Sequence, residues 1–358
     1  MSRPLRPPDE PGTRAALLRG VDLPPSPDTA RLAAFLAHAF GPATAAIIHY
    51  GSHAQSSDAR PDSAHDFFVV VDRYADAYRS LSSTVRPGYS ARTATALAHV
   101  LPPNVISLTL KEPDRPLRAK CAVLSMRDLR RLCAHGAPDH FTRGRLFQHV
   151  QLVWTRDARS RQEALDALLD ARVGTFDWSR PYLPSVFNAE SYCRRLLETS
   201  FAAEIRPEGG ERIAALIAAQ RDVVLPVYDT LLQWLVASRI AVQEGNVYRL
   251  TRPAGVARRV ASRAWFLKSK ARATARWLKY VALYEGWLDY IVQKIARRSG
   301  RTIVLTERER RWPLIFLWPK VIEYVRTRPQ LTRNEECGTR NEEPGPRKCP
   351  NEEREPRY

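Results

Sequence analysis

The 358-residue chain has no run of eighteen apolar residues, so no segment offers the hydrophobic length that crosses a bilayer as a helix. Its opening stretch, MSRPLRPPDEPGTRAALLRG, lacks the apolar core of a secretory signal, and the expectation is a protein made and kept in the cytoplasm. Cysteine is scarce. Cys121, Cys133, Cys193, Cys337 and Cys349 are odd in number and fall in no CxxC or Cys/His metal spacing, so they read as reduced thiols. Acid is short relative to base: 56 Lys and Arg against 38 Asp and Glu leave a formal charge of +18. That balance points to polyanionic partners, whether nucleotides, nucleic acid or an anionic membrane surface.

What is present divides into four regions. Residues 1–28, rich in Pro, Arg and Asp, read as a flexible arm. Residues 29–160 alternate in pattern, with a helix at 33–40 and strands at 45–50, 66–72, 105–110 and 120–125. This is the pattern of an α+β catalytic domain built on a mixed sheet with helices. Residues 161–326 are mainly helical, with a strand-like piece at 246–250 after Gly245 that suggests a small wing, and so a winged-helix-like domain. Residues 327–358 hold almost no apolar side chain and repeat NEE at 334, 341 and 351, which predicts a disordered tail.

The first chemical signal is Tyr50-Gly51-Ser52 at the end of an apolar strand, followed by Asp66 at the head of the next. In nucleotidyltransferases of the polymerase-β type, glycine at such a strand end lets the backbone approach a triphosphate, and the serine hydroxyl holds phosphate oxygens. An aspartate opening the next strand then holds Mg²⁺, a hard ion bound through one or two carboxylates plus substrate phosphates. Such enzymes commonly carry a second acid two residues on, where this chain has Phe68. Asp72 shares the face of Asp66, but at about 3.3 Å per residue the two lie some ~20 Å apart and cannot share an ion.

Further segments, in the same order, resemble one family: the mitochondrial translocator assembly and maintenance type of CDP-diacylglycerol synthase, a phosphatidate cytidylyltransferase with bacterial relatives. Its YGS…DF pattern is matched by Tyr50, Gly51, Ser52, Asp66 and Phe67, with Asp72 behind, and its Tyr-Ser element by Tyr89 and Ser90. Its basic strand resembles 120–125 with Asp128 and Leu129, and its Gly-Arg-Leu element resembles Gly144, Arg145 and Leu146. Later elements line up with Leu183, Pro184 and Phe187, with Ser200, Phe201, Ala203, Glu204 and Arg206, and with Gln220, Tyr228, Leu231 and Leu232. The similarity spans roughly residues 45 to 235. Departures are His53 for the family's glycine, a missing Trp-His segment, and Gln148-His149 where Lys-Pro is usual.

The resemblance implies a nucleotidyltransferase fold, Mg²⁺ as cofactor, CTP and phosphatidic acid as substrates, and peripheral association with an anionic membrane at its inner face. It implies Asp66, Lys120 and Arg206 as catalytic residues, and Tyr50, Gly51, Ser52, Tyr89 and Ser90 as nucleotide contacts. Asp66 and Glu204 would be the metal ligands, although Glu204 could instead orient Arg206. His49, His53 and His65 crowd the motif in places that suit packing or solvent.

Residues 258–279 carry eight Lys or Arg and no acid, with Trp265, Phe266 and Trp277 among them. Lys268, Arg272, Arg276 and Lys279 fall on one helical stripe beside an aromatic stripe of Trp277, Tyr280, Tyr284 and Trp287, and the basic stripe is expected to face outward, either onto anionic lipid or as the solvated face of a helix whose aromatics are core. Two rival readings stay open. One is a nucleotidyltransferase acting on RNA, a nucleotide or a protein; the other is a noncatalytic RNA-binding module with a decayed nucleotidyltransferase domain. No nucleic-acid-binding motif occurs, so nucleic acid is not the expected partner.

Overall fold

The computed structural model describes residues 5–55, 63–202, 210–283, 292 and 305–311. Met1–Glu285 form one compact unit and Gly286–Tyr358 a second, in which a short helix, Glu307–Arg311, is described. In the first unit the helices are α1 (Pro11–Leu17), α2 (Pro27–Phe40), α3 (Ser52–Gln55), α4 (Tyr74–Thr84), α5 (Ala91–Val100), α6 (Met126–Cys133) and α7 (Arg143–Leu146). They continue as α8 (Ala158–Val173), α9 (Thr175–Ser179), α10 (Ala189–Ala202), α11 (Gly210–Ala219), α12 (Arg221–Ala237) and α13 (Val256–Leu283). The strands are β1 (Thr44–Tyr50), β2 (His65–Val71), β3 (Asn104–Leu110), β4 (Leu117–Ser125), β5 (Gln151–Thr155), β6 (Ala241–Glu244) and β7 (Val247–Leu250). The protein is therefore α+β.

Strands β1 to β5 make one mixed sheet in the order β3-β4-β2-β1-β5. Only β2 and β4 run parallel; the other pairs are antiparallel. The run Phe67, Phe68, Val69, Val70, Val71 is fully buried because helices cover both faces, the condition under which a strand reads as continuously apolar. On one face Phe67 and Val69 pack with Leu32 and Leu36 of α2, Tyr78 of α4 and Ala94 of α5. On the other, Phe68 and Val70 pack with Leu129 and Leu132 of α6 and with Ala164 and Leu168 of α8. Chain-local signals set the helix starts: Ser26 accepts from the Thr29 amide at 3.3 Å with Pro27 in the first turn, so α2 begins six residues before the helix read from periodicity.

A second core gathers α9 to α12, the β6–β7 hairpin and Phe266 of α13. It is continuous with the sheet domain through α8, whose Leu168 serves the sheet core and whose Leu169 and Val173 serve the helical one. The boundary expected at 160 thus falls inside a helix. The strand-like piece at 246–250 is the second strand of a hairpin turned at Gly245, φ 63°, and Phe187 pairs with its Tyr248 through both backbone amides at 3.1 and 2.7 Å.

Two further expectations meet a different structure. Of the arm expected over 1–28, the described part carries α1, and Leu17 and Val21 are fully buried. The reason is Arg172, also fully buried, whose Nη1 donates to the Leu17 and Arg19 carbonyls at 2.6 and 3.1 Å, while the Leu152 amide of β5 donates to the Val21 carbonyl at 2.8 Å. The stripe Lys268, Arg272, Arg276, Lys279 does not face outward as a whole. Arg272 Nε and Arg276 Nη2 reach Asp139 Oδ2 at 2.8 and 2.7 Å. Lys279 Nζ donates to the Leu97 carbonyl at 2.9 Å and also to that of Leu101, at the C-terminal end of α5. Burial and neighbouring Arg276 push the Lys279 ammonium down to about 7. Only Lys268 of the four is exposed. A stripe of like charge was legible, but the buried carboxylate and helix end that turn it inward come from distant parts of the chain. The tail over 327–358 and the side chains of Trp277, Tyr280, Tyr284 and Trp287 lie outside the described residues.

Candidate functional site

The last residue of β1, Tyr50, stands opposite Asp66 of β2, and Asp66 stands opposite Lys120 of β4. Cross-strand partners share a face, so the three form one row across the sheet, on the side packed by α6 and α8. The Tyr50 ring stacks on Phe68 at 4.6 Å and closes the apolar core beneath the row. Phe68 is fully buried there, which accounts for an apolar residue where a second acid would stand. Lys120 Nζ lies 3.8 Å from Asp66 Oδ1, with side-chain exposures of 51% and 26%, so the pair is open to an anionic ligand.

Gly51 is the hinge of the site. Its φ of 83° is left-handed, and a Cβ built on it would sit 2.8 Å from Asp66 Oδ2. Only glycine both makes this turn and leaves the Asp66 carboxylate room. The chain then winds into α3, with the Ala54 and Gln55 amides on the Gly51 carbonyl at 3.0 and 3.1 Å, which puts Ser52 at the head of the turn. Gln55 braces it from below: its Nε2 donates to Gln148 Oε1 at 3.0 Å, and Gln148 Nε2 donates to the Gly144 carbonyl at 3.2 Å. This brace joins the Gly-Ser turn to α7. Sequence reasoning saw Gln148 only as a departure from a pattern, because nothing local pairs residues 93 positions apart.

Mg²⁺, which the resemblance implies, takes hard oxygen donors and keeps several of them from substrate and water. Asp66 supplies one carboxylate, and the space kept clear by Gly51 lies against it. Among the described residues no group of three or more His, Cys, Asp or Glu could hold a metal ion by itself. By itself Asp66 could hold such an ion only if most of the oxygens came from substrate and water. Glu204 and Arg206, the other expected metal and phosphate groups, lie outside the described residues.

Several other expected residues serve packing. Tyr89 lies with the core of the opposite sheet face, where burial pushes its phenol up to about 12 against the pull of Arg86, and Ser90 caps α5 by accepting from the Thr93 amide at 3.3 Å. Neither is brought to the Asp66 row, because the strand alternation that places Tyr50 on one face puts the α4–α5 turn over the other. Asp128 accepts from the Ser125 hydroxyl and the Tyr74 phenol at 3.0 and 2.7 Å as part of the α6 cap. Asp72 sits at the far end of β2, paired with Arg156. Gly144 is small because a Cβ would meet the His140 ring at 2.7 Å, and His140 Nε2 bonds the Ser200 hydroxyl at 2.9 Å in a wholly buried pair. Gln220 Oε1 accepts from the His149 amide at 2.9 Å, and the Tyr228 phenol donates to the Phe147 carbonyl at 2.6 Å. These later matches fasten the helical core to the sheet.

The three histidines stack on the face opposite Asp66: His53 on His65 at 3.8 Å, and His65 on His49 at 5.4 Å. One ring nitrogen of each is engaged, with Ser63 (2.7 Å), Thr29 (3.3 Å) and Gln151 (3.1 Å) respectively. Burial above all, with the other imidazoles adding to it, pushes His49 and His65 down to about 4, so both are neutral near pH 7. No helix among the described residues is long and apolar enough to cross a membrane. No protein-family model matches the chain, and no curated protein does.

Proposed function

We propose that the chain is a magnesium-dependent nucleotidyltransferase that moves a cytidylyl group from CTP onto the phosphate of phosphatidic acid, giving CDP-diacylglycerol and pyrophosphate. The observation that carries this reading is the Gly51 turn set against Asp66, with Lys120 in the same cross-strand row and both side chains partly exposed. In this reading the five-stranded sheet is of the nucleotidyltransferase type and the β6–β7 hairpin is the wing of a winged-helix-like region. The lipid acceptor comes from the resemblance of the motif series, and with it a place on the inner face of an anionic membrane.

An oxygen of the acceptor phosphate attacks the α-phosphorus of CTP in line. The bond from that phosphorus to the bridging oxygen of the β-phosphate breaks, and pyrophosphate leaves with the electron pair. The nucleophile is already an anion, so neither the histidine stack nor another base has to remove a proton; catalysis reduces to positioning and charge neutralisation. Gly51 lets the backbone approach the triphosphate, Ser52 hydrogen-bonds its β and γ oxygens, and Lys120 places a point charge beside them. Asp66 would hold Mg²⁺, which when bound neutralises triphosphate charge. Lys120, 3.8 Å away, orients that carboxylate.

The test is the full chain incubated with α-labelled CTP, Mg²⁺ and either phosphatidic acid vesicles or RNA. Label in a chloroform-soluble CDP-lipid is expected. Label on RNA would transfer the assignment to an RNA-directed nucleotidyltransferase, and RNA retention without transfer to either acceptor would make the chain a noncatalytic binder.

A further inference from the structure

Helix α13 is anchored by one face. Phe266 and Ser269 are buried, the Trp265 indole N–H donates to the Ala137 carbonyl at 2.9 Å, and Ser269 Oγ accepts from the His140 amide at 2.8 Å. With Arg272 and Arg276 on Asp139, the inward side is occupied along most of its described length. The outward side is not polar, as the free side of an anchored helix ordinarily is. Val256, Val260 and Leu267 are 74%, 59% and 71% exposed, and spacings of four and seven put them on one stripe, with exposed Ala264 and Ala271 beside it. Three of the seven large apolar side chains exposed among the described residues stand on this one face.

Basic residues border the stripe: Arg259, Arg263 and Lys270 on one flank, Lys268 on the other. None of the four makes an ion pair with a described residue, and Val256–Leu283 contains no Asp or Glu. An apolar stripe between unpaired cations on a rigidly held helix matches a surface that is apolar inside and anionic at its boundary. We propose that this outward face of α13 docks the protein on an anionic lipid bilayer. The valines and the leucine enter the acyl boundary, and the arginines and lysines lay their stems along it with their charges among the headgroup phosphates. A nucleic acid would use the cations but offers nothing to Val256, Val260 or Leu267, since single strands pair basic grooves with stacking aromatics. The docking face is thus the opposite of the one periodicity in basic residues suggests. Its purpose rests on the lipid-acceptor reading; its existence does not.

The experiment uses the full chain and vesicles free of phosphatidic acid, so that docking is measured apart from turnover. Cosedimentation with phosphatidylglycerol-containing vesicles is expected, with little on pure phosphatidylcholine and less as salt rises. Replacing Val256, Val260 and Leu267 by Ser together, or Arg259, Arg263, Lys268 and Lys270 by Gln together, should each lower vesicle partitioning by about tenfold or more. Both variants should keep the parent's thermal midpoint and its transfer to a soluble short-chain phosphatidic acid. Unchanged partitioning in the Ser variant, or equal binding of the parent to phosphatidylcholine, overturns the proposal. So does RNA binding that the Gln variant loses and the Ser variant keeps, together with no vesicle binding by the parent. A parent that binds vesicles yet transfers nothing to soluble phosphatidic acid leaves the docking face standing and removes the lipid-acceptor reading.

Discussion

Asp66 and Asp139 are both carboxylates with basic partners, and they stand at opposite extremes of burial. Asp139 is fully buried, its Oδ2 shared by Arg272 and Arg276 and its Oδ1 accepting from the Phe141 amide at 3.1 Å. Burial raises its carboxyl, but the two guanidiniums outweigh burial and hold it below the ordinary value. Asp66 is partly exposed, with the Lys120 ammonium at 3.8 Å from one oxygen and a glycine packed where any Cβ would crowd the other. A sealed ion pair has no freedom to exchange partners, and breaking it strands a charge in a dry site; a half-open pair can give up one partner for a phosphate or a cation at little cost. The first kind fastens α13 to the loop over 137–141, and the second is suited to chemistry.

The largest effect expected from this contrast is on the sealed side. Asp139→Ala leaves Arg276 buried with only the Pro102 carbonyl at 2.8 Å as a described acceptor, and should lower unfolding stability by about 3–5 kcal/mol. Denaturant titration measures this, and a loss below about 1 kcal/mol would mean the pair is not the fastening it looks to be. The open side should behave in reverse. Asp66→Asn is isosteric and relieves no packing, so its unfolding midpoint should stay near the parent's, while cytidylyl transfer should fall by roughly 10²–10³-fold as one preorganised charge is lost. A folded variant with near-parental turnover would remove Asp66 from the mechanism.

How far each of these carboxylates was legible follows from how local its determinants are. The strand-end Gly-Ser and the acid opening the next strand are adjacent features of a β-pattern, and four strands read at 45–50, 66–72, 105–110 and 120–125 are found within three residues of those ends. Register then does the rest, because a strand starting at His65 opposite one ending at Tyr50 sets Asp66 beside the turn. Strand β5 was not read: Gln151–Thr155 is short, mixed in polarity, and held by pairing with β1 more than by its own pattern. Asp139 carries no signal at all. It lies in an irregular segment, and its partners are more than 130 residues away on a helix whose basic residues look like a solvated face. Periodicity shows that charges share a stripe; which way the stripe points depends on a carboxylate elsewhere. For the same reason α1 was hidden, since what holds it is Arg172 in α8.

The histidine stack offers a second way to sharpen the comparison, because it lies on the other face of the strand that carries Asp66. His49 and His65 are buried neutral, with folded values near 4 against 6.5 for an exposed imidazole. Asp28, Arg115 and His53 act on His65, and Gln151, His53 and His149 on His49. Between pH 6.5 and 4 the unfolded chain therefore binds more protons than the folded one, and stability falls as pH falls through that window. Above about pH 6.5 the contribution is complete. Unfolding free energy measured from pH 7 to 4 should decline accordingly, and a His65→Asn variant should show a shallower decline. An identical slope in that variant would assign the acid sensitivity elsewhere, for instance to His140, which burial pushes down to about 3.

The smallest effect is expected at the third carboxylate, Asp72, which the motif series places in line with Asp66. It closes the same strand, but its charge is spent on Arg156, whose Nε also holds Asp157 at 3.0 Å, in a cluster where each side chain is about half exposed. Asp72 is also tied by its backbone, whose amide donates to the Ala43 carbonyl at 2.8 Å, and that bond does not depend on the side chain. Exposed pairs of this kind contribute about 0.2–1 kcal/mol, and salt screens them further. Asp72→Asn should therefore shift the denaturant midpoint by no more than that amount, with the difference shrinking in high salt, and should leave cytidylyl transfer within about twofold of the parent. A deep loss of turnover in Asp72→Asn would mean that the far end of β2 reaches the reacting phosphates after all, and the division between an open carboxylate for chemistry and paired ones for structure would have to be redrawn along this strand.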